Sequence, residues 1–331
     1  MSGQNERGVN ETLLDIFRQQ QGEFVSGEEI SHRIGISRTA VWKHMNKLRE
    51  AGYEFEAVSR KGYRLIGQPS RLSVTEIMMS SEASTLGTNL KLLQVTTSTQ
   101  EVARELAEQG ALEGTLVLAE EQTRGRGRMG RQWYSPPGRG VWMSLLLRPA
   151  FPLSAAPQLT LLIAVAVCRA IRIETGVNAG IKWPNDILAS GRKLCGILVE
   201  SALEEERIRY CIAGIGIDVN LSEEELPDEL RPIMTSIKIE SGREADRSRL
   251  VGAIMTELES LYTLYKAEGF GPIASQWEGL SVTLNRQVMI EQPMGTVRGL
   301  ASALDDTGAL IVTLADGRKH KVISGDVIIE G

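Results

Sequence analysis

Between Arg124 and Arg131 the chain reads RGRGRMGR, four guanidinium groups on a glycine-rich segment. Glycine lets a backbone wrap closely round a ligand, and arginine offers carboxylates and phosphates a planar, permanently charged fork. Cations so close together repel one another. The segment therefore reads as a loop that gathers several anionic oxygens and is mobile until they arrive, rather than as an exposed basic turn. Its surroundings agree, because Gln122 to Ile173 contains eight arginines and no Asp or Glu.

Two familiar phosphate loops are excluded by context. Gly125 to Gly130 matches G-x-G-x-x-G after a plausible strand, Thr115 to Ala119. A dinucleotide turn must open a helix, however, and the continuation RQWYSPPG cannot form one. Nor is Gly130 followed by the Lys and Ser/Thr of a Walker A loop.

Further along, Lys182-Trp183-Pro184-Asn185-Asp186, a turn at Ser190-Gly191 and the run Lys193 to Glu200 predict a hairpin with a lysine on each arm. Two lysines beside an arginine loop suit phosphoryl or adenylyl transfer, where charge develops on non-bridging oxygens and catalysis is mainly positioning and electrostatics. Asp186 either holds Mg²⁺ or orients a ligand, or it only closes the turn with Asn185. A third strand-like run, Arg209 to Asn220, puts Gly214 and Gly216 where a ring or another backbone could approach, unless they are simple bulges. The central segment has no histidine and no cysteine beside a base, so no protein nucleophile is evident. A reaction whose substrates supply both nucleophile and electrophile fits best.

These residues need elements to hold them. A chain of 331 residues has room for two or three domains. Hydrophobic residues at 42% and charged residues at 24% exclude a disordered chain, a collagen and a coiled-coil rod. In the first segment, Glu28 to Arg33, Gly35 and Ser37 to Leu48 predict helix, glycine turn and second helix with Ser37 as N-cap. Ile30 and Ile34, then Val41, Met45 and Leu48, mark the core side. The other side of the second helix offers Arg38, Thr39, Lys43, Asn46 and Lys47, donors and acceptors suited to a DNA major groove. Gly52 to Leu65 predicts a hairpin with a basic tip at Arg60 and Lys61, so basic helix and basic wing come in the order a DNA reader needs.

Gly67 to Ser70 reads as a linker. From about Leu280 the short runs SVTLN, QVMIE, GTVRGLAS, ALIVTLA, HKVIS and DVIIE predict a small closed β barrel. Three cysteines without a C-x-x-C pair indicate neither disulfides nor a zinc cluster, and a reducing cytosol is expected. The most apolar stretch, Leu159 to Cys168, is too short to span a membrane, and the N-terminus lacks the apolar core of a signal peptide.

Five motifs in register carry a resemblance: Ser98-Thr99-Gln100, Gln122 to Arg128, Lys182 to Asp186, Arg192 to Glu200, and Gly214-Ile215-Gly216-Ile217. Together they resemble the bifunctional biotin-protein ligases and biotin operon repressors, over the whole chain. The resemblance implies a multidomain α+β protein with a winged helix-turn-helix DNA-binding domain at 1–67. A class II aminoacyl-tRNA-synthetase-like ligase domain with a mixed sheet would follow at 68–279, and an SH3-like barrel at 280–331. It implies that biotin and MgATP give biotinyl-5'-adenylate, which a lysine of a biotin carboxyl carrier domain then attacks.

Carried over by position, Ser98, Thr99, Gln100 and Gln122 line the ureido end of biotin. Arg126, Gly127 and Arg128 fold over biotin and the adenylate phosphate. Lys193, with Gly196 nearby, binds the biotin carboxylate and the reacting phosphoryl oxygens. Lys182, Asn185 and Asp186 lie on the ATP and Mg²⁺ side, Arg128, Lys193 and Lys182 form the catalytic set, and Trp133 orders against adenine. The DNA contacts fall to Ser37, Arg38, Thr39, Lys43, Asn46, Lys47, Arg60 and Lys61. Such repressors are cytoplasmic, dimerise with the adenylate bound and then occupy operator DNA. Two positions depart from the family pattern, Gln100 and Asp218, each standing where Asn is usual. Two other functions are weighed: a lipoate-protein ligase, which the arginine loop and DNA-binding segment fit poorly, and a ligand-sensing regulator without catalysis, which Arg126, Arg128 and Lys193 argue against.

Overall fold

In a computed structural model the protein is described over residues 2–20, 22–50, 53–58, 61–67, 71–149, 152, 155–204, 207–292 and 295–330. The chain divides into two units, Met1–Ser80 with Asp246–Gly252, and Ser81–Ala245 with Ala253–Gly331.

The first unit holds helices α1 (Ser2–Gln19), α2 (Gly27–Ile34) and α3 (Arg38–Glu50), strands β1 (Glu54–Val58) and β2 (Gly62–Gly67), and α4 (Val74–Ser80). Ser26 caps α2 by accepting from Glu29 N at 3.0 Å, and Gly35 ends it at φ 75°, a left-handed residue that glycine adopts without steric cost. Ser37 then accepts from Ala40 N at 3.2 Å, the capping role its position predicts. The apolar spacing buries Ile30, Val41, Met45 and Leu48 with Leu13 and Phe17 of α1. Arg38, Thr39 and Lys43 stay exposed, with Asn46 and Lys47 half-buried. β1 and β2 pair antiparallel as the predicted wing, and Lys61 stands exposed beside its tip. Ser59 and Arg60, and the linker residues 68–70, lie outside the described residues.

In the second unit, β3 (Asn89–Thr96), β4 (Thr115–Gln122), β7 (Gly140–Leu147), β8 (Gly180–Lys182), β9 (Asp186–Ala189), β10 (Arg192–Glu204) and β11 (Arg207–Asp218) form one sheet. Its order is β3-β4-β7-β11-β10-β9-β8, with β3 and β4 parallel and the other pairs antiparallel. Helix α5 (Thr99–Glu108) packs Ala103 and Ala107 against Val117, Leu146, Tyr210 and Ile212. Because strand side chains alternate, Gly214 and Gly216 continue the face that carries Tyr210 and Ile212.

Helix α6 (Ala156–Thr175) corrects one expectation. It is 20 residues long and, by length and composition, apolar enough to cross a membrane. Twelve of its residues are buried, and it packs against β10 and against α9 (Gly271–Leu280), which makes it a core helix. A short helix, α7 (Ile237–Ser241), and a long one, α8 (Arg247–Glu268), precede α9 in the chain.

Two further expectations need adjusting. Lys182 and Lys193 are not on the arms of one hairpin: Lys182 is on β8, opposite Asp186 of β9, and Lys193 is on β10. Pro184 has no N–H to continue a ladder, so the run breaks into a turn there and the lysines come from alternate strands. The run SVTLN is a turn, not a strand. Ser281 Oγ accepts from Thr283 N and Leu284 N at 3.1 Å each, a local bond that competes with sheet pairing. The remaining runs give β12 (Gln287–Gln292), β13 (Gly295–Leu304), β14 (Leu310–Thr313), β15 (Lys319–Val322) and β16 (Asp326–Ile329). They form an antiparallel sheet in the order β15-β14-β13-β12-β16. Trp183 fastens this sheet to the seven-stranded one by donating from its ring Nε1 to Gly308 O at 3.1 Å.

Candidate active site

A cavity of about 510 Å³ opens where the glycine stretch of β10 and β11 meets the arginine segment. Every residue that the sequence assigns to ligand binding in this unit lines it, from Ser98 at one end to Lys182 and Lys193 at the other. A volume of that size suits a small organic ligand rather than an ion.

The end beside α5 is built for hydrogen bonding. Ser98 occupies the N-cap position of α5 yet makes no capping bond, and its Oγ, though buried, has no hydrogen-bond partner among the described residues. Thr99 N and Oγ1 both donate to Gln122 Oε1, at 2.9 and 3.1 Å, and Gln122 Nε2 donates to Ser135 Oγ at 3.0 Å. Gln100 Nε2 donates to Leu198 O and to Glu200 Oε2, which aims the amide and leaves its Oε1 buried without a partner among the described residues. An unsatisfied buried polar atom costs about 1 to 3 kcal/mol, so two together mark a place where ligand donors and acceptors belong.

Glycines form the floor. Gly196 and Gly216 face each other across β10 and β11, and the indole of Trp133 lies on both. A Cβ at Gly196 would come 2.8 Å from Trp133 Cζ3, and one at Gly214 would come 2.9 Å from Gln100 Cδ. Both strand glycines therefore admit a side chain at close approach, and the bulge reading falls away.

The other end is cationic, and most of its charges have assigned partners. The arginine segment is a small hairpin, β5 (Gly125–Arg126) against β6 (Gln132–Trp133), with Met129 and Gly130 left-handed at its tip. Arg128 NH1 donates to Asn185 Oδ1 at 2.6 Å and Arg131 pairs with Asp326 of β16, while Arg126 of the same hairpin reaches back to the α5 end, its NH2 donating at 2.9 Å to the Glu200 carboxylate that also accepts from Gln100. Lys193 Nζ lies 2.7 Å from Asp186 Oδ1 and 5.1 Å from the Trp133 ring centroid. Burial lowers the Lys182 amine from the ordinary lysine range, with Asp186 pulling the other way. The thiols are no rival to this chemistry, since all three are buried and burial pushes Cys168 up to about 11.

Asp218, at the end of β11, is fully buried with neither carboxyl oxygen hydrogen-bonded among the described residues. Burial pushes its carboxyl well above the usual carboxylate range, against a weaker pull from Lys193.

Sequence reasoning missed three contributors. Glu200 organises Gln100, Arg104 and Arg126, although it stands in a quoted motif without a role. The segment Leu230 to Met234 lines the cavity because Lys193 N donates to Ile233 O at 2.8 Å and Thr235 N to Lys193 O at 2.9 Å. Asp326 arrives from the C-terminal sheet. Only Glu200 carried a sequence signal; the other two come from distant chain and no spacing announces them.

Comparison with known proteins gives the site its setting. Residues 92–218 match the biotin/lipoate A/B protein ligase family, residues 10–64 an HTH domain, and residues 283–329 the biotin protein ligase C-terminal domain. The chain is 46% identical over 319 residues to the bifunctional ligase/repressor BirA of Bacillus spizizenii, covering 96% of this chain and 98% of that one. It is 32% identical to the protein of the same description from Escherichia coli, covering 88% of each. A solved biotin protein ligase from Aquifex aeolicus, in complex with biotin and ATP, is 28% identical with a TM-score of 0.64, covering 73% of this chain and 99% of that one. The chain belongs to the family of bifunctional ligase/repressors, biotin-protein ligases that carry a helix-turn-helix domain.

Proposed function

We propose that the protein activates biotin with ATP to biotinyl-5'-adenylate, transfers the biotinyl group to a lysine of a biotin carboxyl carrier domain, and represses transcription in response to biotin. The observation that carries the enzymatic reading is the polarity of the cavity. Ser98 Oγ and Gln100 Oε1, buried without a partner among the described residues, stand at one end, matched to the donors and acceptors of a ureido ring, while Arg128 and Lys193 stand at the other, matched to carboxylate and phosphate.

On this reading Thr99 and Gln122 hold the ureido pocket in shape, and Arg126, Gly127 and Arg128 close over biotin and the adenylate phosphate. Lys193, backed by Gly196, neutralises the charge that moves from carboxylate to phosphoryl oxygen, a task for preorganised cations rather than for a protein nucleophile. Lys182 and Asn185 serve the ATP side. Asp186 and Asp326 both line the cavity, and Asp186, opposite Lys182 and paired with Lys193, would touch a Mg²⁺ ion. So few carboxylates suit a metal held mainly by substrate phosphates, and Mg²⁺ would there help neutralise the polyphosphate. Adenine packing by Trp133 requires the indole to leave Gly196 and Gly216.

The segments 1–67, 68–279 and 280–331 act as winged helix-turn-helix, class II synthetase-like ligase and SH3-like domains. The exposed Arg38, Thr39, Lys43 and Lys61, together with Ser37, Asn46, Lys47 and Arg60, meet operator DNA. Adenylate-driven homodimerisation gives two such heads, and the protein works in the cytoplasm. The test is ATP-dependent biotinylation of a carrier domain, run beside a gel shift with and without biotin. Pyrophosphate release with biotin and not with lipoate is the expected result; release with lipoate alone, or none, would sink the ligase assignment.

A further inference from the structure

Trp42 is 57% exposed on α3, one turn on from Arg38 and one turn before Asn46. Its neighbours in the helix, Val41 and Met45, are buried, so the exposure is a property of the face and not of a loosely packed helix. Thr39 and Lys43 flank it, and from Arg33 to Arg49 the sequence has no acidic residue. A large aromatic ring thus stands at the centre of an otherwise polar, cationic surface. Isolated exposed apolar residues are ordinary, but an indole has a large apolar area and is seldom left wet without a use.

The occupant follows from charge and shape together. A cationic helix face of this kind complements a DNA major groove, whose one apolar feature on the base edges is the thymine C5-methyl. Residues four apart on a helix are about 6 Å apart along its axis, under two base-pair steps of about 3.4 Å. An apolar contact at position 42 therefore falls beside the base pairs in reach of Arg38 and Asn46.

We propose that Trp42 is a specificity-determining residue of the DNA-binding face, packing its indole against the methyl of a thymine in the major groove. This deepens the repressor reading and rests on it. Arg38, Lys43 and Lys47 supply attraction to phosphates that any sequence satisfies, whereas Trp42 rewards one base at one place.

The test uses the full chain with biotin and ATP. Duplexes with a random central segment are passed through rounds of capture, and the wild type is expected to enrich sites with an invariant thymine. Replacing that thymine by deoxyuridine deletes only the methyl and is expected to weaken wild-type binding about fourfold, the worth of one buried methyl group. Trp42→Ala is expected to bind the thymine and uracil duplexes equally, and Trp42→Phe to restore part of the difference. Thermal midpoint and carrier biotinylation serve as controls and are expected to be unchanged in both variants. If the wild type is indifferent to uracil at every thymine of its enriched site, or if Trp42→Ala enriches the same site with the same affinity, the role of Trp42 is overturned while DNA binding stands. A wild type that enriches no sequence overturns both.

Discussion

The indole of Trp133 lies on Gly216 so closely that a Cβ there would stand 2.5 Å from Nε1. Two strands and the arginine hairpin are locked into one surface by that contact. Gly216→Ala must push a rigid ring out of place, and overpacking of this kind costs about 1 to 3 kcal/mol. Because the ring lines the cavity, we expect biotin affinity to fall about 10-fold or more, a loss of about 1.4 kcal/mol, and the thermal midpoint to drop by about 2 to 4 °C for each kcal/mol of strain. Calorimetric titration and a melt read the two separately, and unchanged affinity would count against Trp133 as part of the binding floor.

Arg128 donates to Asn185 across the mouth of the cavity and is free to exchange that amide for a phosphate. A charge-assisted hydrogen bond contributes about 1.5 to 3 kcal/mol, so Arg128→Ala is expected to shorten the lifetime of bound adenylate about 10- to 100-fold. Operator binding should weaken with it. Adenylate retained as long as in the wild type, measured on filters, would remove Arg128 from the closing loop.

Asp218 has a prediction of opposite sign from most buried carboxyls. Burial makes the folded protein hold this proton to higher pH than the unfolded chain, which gives it up around the ordinary value of 3.8. Stability attributable to this group therefore falls as pH rises through and above 3.8. Asp218→Asn has no proton to lose and should melt higher than the wild type at pH 7, by about 2 to 4 °C for each kcal/mol recovered. The difference should shrink toward pH 4. Equal melting curves at both pH values would mean that the carboxyl has partners in solution.

Glu259 behaves the other way. Burial opposes its ionisation, but Ser84 Oγ and the amides of Ser84, Thr85 and Leu86 donate to it at 2.6 to 2.7 Å and hold its pKa at about 2. Its contribution is complete above the unfolded value of 4.5 and is lost as pH falls from there toward 2. Much of the shift is screened by solvent, so Glu259→Gln is expected to cost about 1 to 2 kcal/mol at pH 7 and almost nothing at pH 2. Urea unfolding at the two pH values distinguishes this from a loss independent of pH.

Gly62 starts the second strand of the wing at φ 105°, and a Cβ there would collide with the carbonyl of Val25, whose backbone pairs with Tyr63. Gly62→Ala is expected to cost about 2 kcal/mol or more in the first unit, since strain and clash act together. DNA binding should be lost and carrier biotinylation kept, because no residue of the cavity belongs to that unit. Loss of both activities in a gel shift and a biotinylation assay would show that the two readings do not separate.

By itself the sequence determined the pieces whose information is local. Ser37 as a cap, the core stripe of Ile30, Val41 and Met45, and the arginine segment all follow from spacing and side-chain type, because a helix or a tight loop is specified by neighbours a few residues away. Every residue assigned to the ligand does line one cavity, since those assignments rested on chemistry that survives any placement. Tertiary structure alone decided which strand carries Lys182, that the ring over Gly196 and Gly216 is Trp133, and that Met234 and Asp326 join the site. The cause is physical: sheet register and the docking of a C-terminal sheet pair residues up to 195 positions apart, as in Arg131 with Asp326, and no local pattern encodes a partner at that distance.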